Sequence, residues 1–379
     1  MIESFGKGVE KMKKLGFGLM RLPKIGEEID VEQTKKMVDL FLEAGFTYFD
    51  TAFVYNGSED AIRKALVERY PRESYTLATK MAAWIGCKTR EEAIKQFDTS
   101  LERTGAGYFD YYLLHNLGQQ RTKVFDDFNL WNWAFEMKEQ GKLKHVGFSF
   151  HASPEELEEI LTKHPEVDFV QLQINYADWE NPAIQSRACY EVAKKHGKKV
   201  VVMEPVKGGM LANPPEAVAN IFKEASSDLS MASWAIRFAA DLENVMVVLS
   251  GMSSVEQMED NISFMKDFEG LSHEDKMIIQ KAQEEIKKVP IIPCTKCNYC
   301  AKVCPMGIAI SASFYAMNAY SLYHNMEDAK GGIRWEIKSE GKKDASECIK
   351  CGACEGVCPQ HIAIREELER VKDTFPMND

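Results

Sequence analysis

From about Leu15 to Met265 the chain alternates two patterns of hydrophobic and polar positions. Short runs rich in β-branched and aromatic residues recur: LGFGLM, FTYFD, YTLATK, FDYYLL, HVGFSF, DFVQLQI, KKVVVME and VMVVLS. Several are apolar almost throughout, as parallel strands buried on both faces are. Between them, apolar residues repeat at helical spacing behind recognisable starts. Ser153-Pro154-Glu155-Glu156 combines an N-cap Ser, a Pro at the first helical position and a Glu at the third. Thr89 with Glu92, and Ser253 with Glu256, share the capping-box spacing.

Eight strands alternating with helices over about 250 residues predict a (β/α)8 TIM barrel. An open doubly wound sheet is the competing architecture, and it favours a Gly-rich turn after the first strand. LGFGLMRLPKIG has glycines, but not at the spacing of a dinucleotide fingerprint. The barrel is therefore the expected fold. HEDKMIIQKAQEEIKK then reads as a helix that runs into Pro290 and Pro293. Prolines that stop a helix mark a boundary, placed near 285. Residues 1–285 form the barrel and residues 286–379 a second, smaller unit.

Composition and charge narrow the class. The chain has 379 residues, 45% hydrophobic and 28% charged, ordinary for a soluble globular protein. A formal net charge of −11 carries no electrostatic footprint for nucleic acid. No apolar run approaches the ~18 residues that span a bilayer, so no membrane association is expected. MIESFGKGVEKMKKLGFG lacks the apolar core of a secretory signal, and a cytoplasmic protein is expected. The 18 Met residues are read as core filler. Of ten cysteines, eight lie after position 290, unlike disulfides spread through a secreted domain. Cys87 and Cys189 are read as incidental thiols.

The clustered cysteines form two runs, Cys294-x2-Cys297-x2-Cys300-x3-Cys304-Pro305 and Cys348-x2-Cys351-x2-Cys354-x3-Cys358-Pro359. This is the run of two-cluster bacterial ferredoxins, in which the fourth Cys serves the other cluster. One 4Fe–4S cluster is expected on Cys294, Cys297, Cys300 and Cys358. The other is expected on Cys348, Cys351, Cys354 and Cys304. Zinc also binds paired C-x2-C units, but four cysteines at this spacing followed by Pro, twice, favour clusters. The second unit is thus expected to be a small α+β dicluster ferredoxin-like domain, with an enlarged insert from Met306 to Glu347.

In barrel enzymes chemistry sits at the C-terminal ends of the strands. The second predicted strand ends at Asp50, with Tyr55 soon after; the third ends at Lys80; the fourth is followed by His115. These four types make a proton-transfer device. A free phenol, with a pKa of about 10, is a poor acid at neutral pH. A neighbouring ammonium favours the phenolate, so Lys80 is expected to lower the pKa of Tyr55, with Asp50 holding Lys80 in place. His115 can hydrogen-bond and orient a substrate carbonyl.

The segments FDTAFVYNGSEDAIRKAL, LATKM, DYYLLHN, VGFSFH and VQLQINY together resemble the aldo-keto reductase superfamily over about Leu15 to Phe268. The four positions of that family's tetrad match Asp50, Tyr55, Lys80 and His115. GLMRLP, MEPVKGG and VVLSGMSSVEQMEDN look like the branch that carries a C-terminal ferredoxin-like domain. The resemblance implies interconversion of a small carbonyl compound and its alcohol with NAD(P)H. It implies cofactor-contacting positions at Gly18, Met20, Arg21, Ser149, Gln171, Met203, Pro205, Lys207, Gly208, Gly251, Ser253, Gln257 and Asn261.

Some of these depart from the family pattern. The Ser-Asn after the fifth strand reads Ser149-Phe150, so the Asn is lost. Met203 stands where an aromatic residue usually stacks on the nicotinamide. Gly251 and Gln257 stand where members that favour NADPH place cations for the 2′-phosphate, which removes charge-assisted bonds and favours NADH. Arg21 and Lys207 are candidates to grip a phosphate, or else rim charges in solvent.

A nicotinamide gives up two electrons as hydride, whereas clusters move one at a time; a flavin can work either way. Three readings follow. The first is an oxidoreductase whose clusters exchange electrons with an external carrier such as a ferredoxin or flavodoxin, with a flavin at the rim as a subsidiary possibility. The second is a carbonyl reductase with structural clusters. The third is a redox-sensing or electron-carrier subunit using the barrel as a scaffold. The loop from Trp84 to Lys88, the segment FNLWNW and Trp179 hint at an apolar or aromatic substrate pocket.

Overall fold

The computed structural model describes residues 13–118 and 121–376. All eight expected strands are present: β1 (Leu15–Gly18), β2 (Tyr48–Asp50), β3 (Thr76–Met81), β4 (Phe109–Leu117), β5 (Leu143–Phe150), β6 (Phe169–Gln173), β7 (Lys199–Met203) and β8 (Val245–Ser250). Each pairs in parallel with its sequence neighbours, and β1 pairs with β8, closing a barrel. The chain divides into two compact units. One runs through residue 180 and takes in 184–208 and 232–274; the other takes in 181–183, 209–231 and residues from 275 onward.

Side chains alternate across each strand, so every second residue points into the barrel. Tyr48, Ala78, Leu113, Phe169, Val201, Val247 and Leu249 pack together and fill the lumen. Glycine is required where this layer is most crowded. A Cβ on Gly16 would sit 2.6 Å from the Val247 side chain and 2.8 Å from that of Leu249. Continuing the same alternation toward the C-terminal ends puts Gly18, Asp50, Lys80, His115, Ser149, Gln171 and Met203 in the next layer. The site is thus a consequence of strand parity above an apolar plug.

Between the strands and the outer helices lies a second core. Phe41, on the helix Val31–Glu43, stacks on Phe46 at 5.2 Å and meets Phe49 edge-on at 5.2 Å. Each fully buried aromatic contributes roughly 1.5–3 kcal/mol of transfer free energy. The helix caps follow the sequence closely. The Ser153 side chain accepts from the Glu156 amide with Pro154 next to it, and Thr89 accepts from the Glu92 amide. Ser253 and Glu256 do not form the expected box. The cap is one residue later: Ser254 accepts from the Gln257 amide, while the Gln257 side chain accepts from the Ser253 amide at 2.7 Å. The Ser253 hydroxyl is instead drawn to the Arg21 carbonyl at 2.7 Å, which leaves the neighbouring Ser to cap.

The second unit is mainly helical, with helices Tyr299–Val303, Ile310–Tyr323, Met326–Glu340, Ala353–Gly356 and Ile364–Thr374. Ile308, Ile310, Phe314, Met317, Ile333, Ile364, Leu368, Val371 and Phe375 form its core. The insert between the cysteine motifs supplies two of these helices, 310–323 and 326–340, which pack on one another. Asn325 caps the second through the Asp328 amide, and Gly341 ends it in the left-handed region. The β pairing of the described residues here is a single bridge, Ile308 to Lys343.

Candidate active site and cysteine cavities

The Lys80 ammonium donates to the Asp50 carboxylate and, at 2.7 Å, to the Thr51 carbonyl. Lys80 is 1% exposed and Asp50 2%, so the pair has no competing water. Tyr55 hangs from a short loop that is tied at both ends. Backbone bonds join Thr51 to Ala78 and Phe53 to Lys80, and the Thr51 and Ser58 hydroxyls meet at 2.8 Å. The Ser58 hydroxyl in turn donates to the Leu19 carbonyl at 3.0 Å, anchoring the loop to the end of β1. This holds the Tyr55 ring with its centroid 4.9 Å from Lys80 Nζ and edge-on to His115, 6.0 Å away. Sequence-distant Asp50, Tyr55, Lys80 and His115 therefore share one constellation.

The electrostatics correct one expectation. Burial pushes the Tyr55 phenol above its ordinary range, and the Lys80 ammonium reverses only part of that. The Asp50 and Glu204 carboxylates push the same way as burial. Desolvation thus outweighs the ammonium, and Tyr55 stays protonated well past neutral pH. Burial opposes the charge on Lys80 as well, but Asp50 and Tyr55 more than compensate and its pKa is raised. His115 is held well below the usual imidazole range by burial, then by the positive charges of Lys80, His151 and Arg121. It is a neutral imidazole at pH 7.

His115 and Asn116 occupy a bulge. The β4–β5 register slips between Leu114, opposite Phe148, and Leu117, opposite Phe150, so two residues face Ser149. Bulges re-aim side chains beside active sites. Trp84 Nε1 donates to the His115 carbonyl at 2.9 Å, fixing the bulge from outside. His115 Nδ1 and Asn116 Oδ1 are both buried without a hydrogen-bond partner. Asn116 is not among the residues predicted from the sequence; its signal is the His-Asn pair closing a strand that runs one residue too long for its neighbour.

The cofactor-contacting candidates separate into groups. Gly18, Arg21, Gly208, Gly251 and Ser253 come together where β1 and β8 end. A Cβ on Gly18 would meet the Ser250 carbonyl at 3.4 Å, and the Arg21 side chain runs beside Gly251 and reaches Gly208. Gln257 is the cap partner already described, and Asn261 Nδ2 donates to Ser250 Oγ at 2.6 Å. Ser149 Oγ accepts from the Asn116 amide at 2.7 Å, and Gln171 Nε2 reaches Asp50 Oδ2 at 3.5 Å. Met203 is half-buried, Pro205 is buried and Met20 is 65% exposed.

Lys207 is not a rim charge in solvent. It is 4% exposed, and its ammonium meets both Asp178 oxygens, at 2.6 and 2.7 Å. Asn175 Nδ2 donates to the same carboxylate at 2.9 Å and to the Glu204 carbonyl at 3.2 Å. Glu204 and Lys207 both adopt positive φ, 55° and 51°. The strained turn after β7 is thus fastened to the loop after β6. Sequence offered no signal for this, because Asp178 lies beyond the end of its strand. The aromatic pocket hints also change: Trp131 and Trp133 are core residues, and Trp179 packs on Tyr190 and Phe238.

In the second unit two cavities face the cysteine motifs. One is lined by Cys294, Cys297, Cys300 and Cys358, the other by Cys348, Cys351, Cys354 and Cys304, with Ile310 bordering both. Each all-sulfur set draws three residues from one motif and the last Cys of the other. The binding loops repeat as well: Lys296 and Asn298 in one, Lys350 and Gly352 in the other, have positive φ. Asn298 at that position is held by a hydrogen bond from the Ser311 hydroxyl at 2.5 Å. These thiolate sets suit iron–sulfur clusters.

A closed (β/α)8 barrel with Asp, Tyr, Lys and His converging at its C-terminal rim is the architecture of a barrel oxidoreductase. The chain belongs to the aldo/keto reductase family, whose model matches residues 14–284, and it carries a C-terminal 4Fe-4S dicluster domain, matched over residues 293–363. An aldo-keto reductase of Mycolicibacterium vanbaalenii is 31% identical over 251 residues, covering 65% of this chain and 81% of that one. The 9,11-endoperoxide prostaglandin H2 reductase of Trypanosoma cruzi is 27% identical over 202 residues, 52% of this chain and 64% of that protein. Among solved structures, the holo form of an aldo-keto reductase from Bacillus halodurans shares the fold, with TM-score 0.53, 24% identity, and coverage of 71% of this chain and 91% of that one. An aldo-keto reductase from Klebsiella pneumoniae in complex with NADPH has TM-score 0.56, 19% identity, and coverage of 71% and 90%. Among the described residues no helix is long and apolar enough to cross a membrane.

Proposed function

We propose that this oxidoreductase interconverts a small carbonyl compound and its alcohol at the barrel rim with NAD(P)H, and that its dicluster domain exchanges electrons with an external one-electron carrier. The observation that carries the first half is Tyr55 held between Lys80 and neutral His115. A phenol kept protonated by burial gives its proton to the carbonyl oxygen, and the Lys80 ammonium stabilises the phenolate left behind. His115 donates a hydrogen bond to the same oxygen and orients it. Asp50 fixes Lys80. The nicotinamide, when bound, supplies hydride to the carbonyl carbon. Ser149, Gln171 and Arg21 are the chain's candidates to hold it, and the absence of cations at Gly251 and Gln257 favours NADH over NADPH.

For the second half we assign one 4Fe–4S cluster to Cys294, Cys297, Cys300 and Cys358, and the other to Cys348, Cys351, Cys354 and Cys304. The clusters, when bound, supply one-electron transfer. Cys297 and Cys351 are exposed, and Tyr299, Val303, Ile349 and Val357 beside them leave apolar surface in solvent. That exposure favours exchange with a partner over a purely structural role. A reducing cytoplasmic compartment would preserve the thiolates.

Anaerobic purification, identification of bound cofactors, and titration with NADH, NADPH and reduced ferredoxin test the proposal. NADH-dependent carbonyl turnover together with clusters reducible by ferredoxin is the expected result. Turnover that survives removal of the clusters unchanged, with no reduction by ferredoxin, would leave them structural.

A further inference from the structure

Asn116 has no part in the tetrad, yet its surroundings are specific. It holds a left-handed backbone conformation, φ 60°, which few residues adopt without cost and Asn tolerates best after Gly. Its amide donates to Ser149 Oγ at 2.7 Å, and its carbonyl accepts from Arg121 Nε at 3.0 Å. Both backbone groups are therefore used to hold the bulge. The side-chain oxygen is left buried with nothing to accept from. A buried, unsatisfied amide oxygen costs about 1–3 kcal/mol, and such groups in a native fold call for an explanation.

Position 150 explains why an amide is wanted here. Phe150 stands where the family carries the Asn that follows Ser149. It is 2% exposed and packs edge-on to Phe148, 6.3 Å away, on the outer face of β5. No carboxamide can come from there. The β4–β5 bulge instead brings a second residue opposite Ser149, and that residue is Asn116. Ser149 Oγ, having accepted the Asn116 amide, still has its own proton to donate. The Ser149 hydroxyl proton and the unpartnered Asn116 Oδ1, on residues joined by the amide–Oγ bond, are the donor and acceptor that a primary carboxamide complements.

We propose that Asn116 replaces the missing family residue and binds the nicotinamide carboxamide: its Oδ1 accepts an N–H of that group while Ser149 Oγ donates to the carboxamide oxygen. This rests on the NAD(P)H reading above. The pairing fixes rotation of the ring and so selects which face is turned toward Tyr55. Asn116 is a positioning residue for the cofactor, not a proton carrier.

The test compares two dinucleotides on the anaerobically purified holoprotein: NADH and reduced 3-acetylpyridine adenine dinucleotide, in which a methyl group replaces the carboxamide NH2. Dissociation constants are measured by fluorescence titration for the wild type, Asn116→Gly and Asn116→Asp. Glycine removes the side chain but keeps the left-handed backbone, and aspartate keeps the acceptor. The wild type is expected to bind NADH about tenfold more tightly than the acetylpyridine analogue, as loss of one buried hydrogen bond would give. Asn116→Gly should bind the two within about twofold, and Asn116→Asp should keep the preference. Equal preference in wild type and Asn116→Gly would overturn the assignment while leaving the NAD(P)H reading intact. A wild type that binds neither dinucleotide would overturn both.

Discussion

The Lys80 ammonium lies 4.9 Å from the centroid of the Tyr55 ring while it is clamped by Asp50. One cation is half of a buried ion pair and, in the proposed mechanism, also the stabiliser of a developing phenolate. Lys80→Met is therefore expected to fail twice. It strands the Asp50 carboxylate, costing about 3–5 kcal/mol of stability, and it removes the charge that supports proton donation, lowering kcat by about a hundredfold or more. The two losses separate in the double variant Asp50→Asn with Lys80→Met. Thermal unfolding should recover much of the lost stability there, because no buried charge is left alone, while kcat should not recover. Recovery of both would show that Lys80 acts only through the fold.

Tyr55→Phe removes the proposed proton donor without creating a cavity. We expect kcat to fall by about 10²–10⁴, with a much smaller effect on KM and on thermal unfolding. In the wild type, burial holds the Tyr55 pKa above the ordinary phenol value. Carbonyl reduction should then show no basic limb from Tyr55 until the pH exceeds that value. A limb near neutrality, lost in Tyr55→Phe, would mean that Lys80 dominates after all.

His115 gives a pH dependence of opposite origin. Burial first, then the nearby positive charges, depress its folded pKa well below 6.5. In the unfolded chain the imidazole binds a proton at about pH 6.5. Below that pH the unfolded state takes up the proton and the folded state does not, so stability falls as pH drops from about 7 toward 5. Above pH 7 the term vanishes, because both states are neutral. His115→Gln should flatten this part of the profile of unfolding midpoint against pH. An unchanged slope in the variant would place the titrating group elsewhere.

Much of this was legible in the chain because it depends on local rules. Buried parallel strands announce themselves as apolar runs, and parity then dictates that Asp50, Lys80 and His115 share one layer. The cysteine spacing constrained ligand loops just as directly, since three thiolates on one short loop leave little freedom. What could not be seen depends on partners distant in sequence. Ser254 displaces Ser253 as a cap because of the Arg21 carbonyl, more than 200 residues away. Lys207 looked like a free cation beside glycines, and only the folded chain brings Asp178 to it. The Tyr55 pKa was misjudged for the same reason. The sign of the Lys80 effect followed from chemistry, but its contest with burial required the packed site.

The crossed cysteine sets make a pairwise prediction. Cys304→Ser should remove the cluster assigned to Cys348, Cys351 and Cys354, halving the iron from about eight atoms per chain to about four. Adding Cys354→Ser should then cost little further iron. Adding Cys300→Ser instead should remove the remaining cluster. If each motif held its own cluster, the two double variants would exchange outcomes, so iron quantification with electron paramagnetic resonance of the reduced protein decides between the arrangements.

Arg21 and Lys207, alike in sequence context, should behave in opposite ways. The Arg21 side chain lies along Gly251 toward Gly208. Lys207 is sealed against Asp178. Arg21→Met should leave the unfolding midpoint nearly unchanged but weaken ADP-ribose, which carries the cofactor's diphosphate without the nicotinamide, by about tenfold, the loss of a charge-assisted hydrogen bond. Lys207→Met should lower stability by about 3–5 kcal/mol, because the Asp178 carboxylate is then buried alone. Replacing Asp178 by Asn in the same chain should restore much of that stability. Isothermal titration with ADP-ribose and thermal unfolding of the same three variants check both halves. A large affinity loss in the double variant after stability has returned would mean that Lys207 leaves Asp178 to meet the diphosphate.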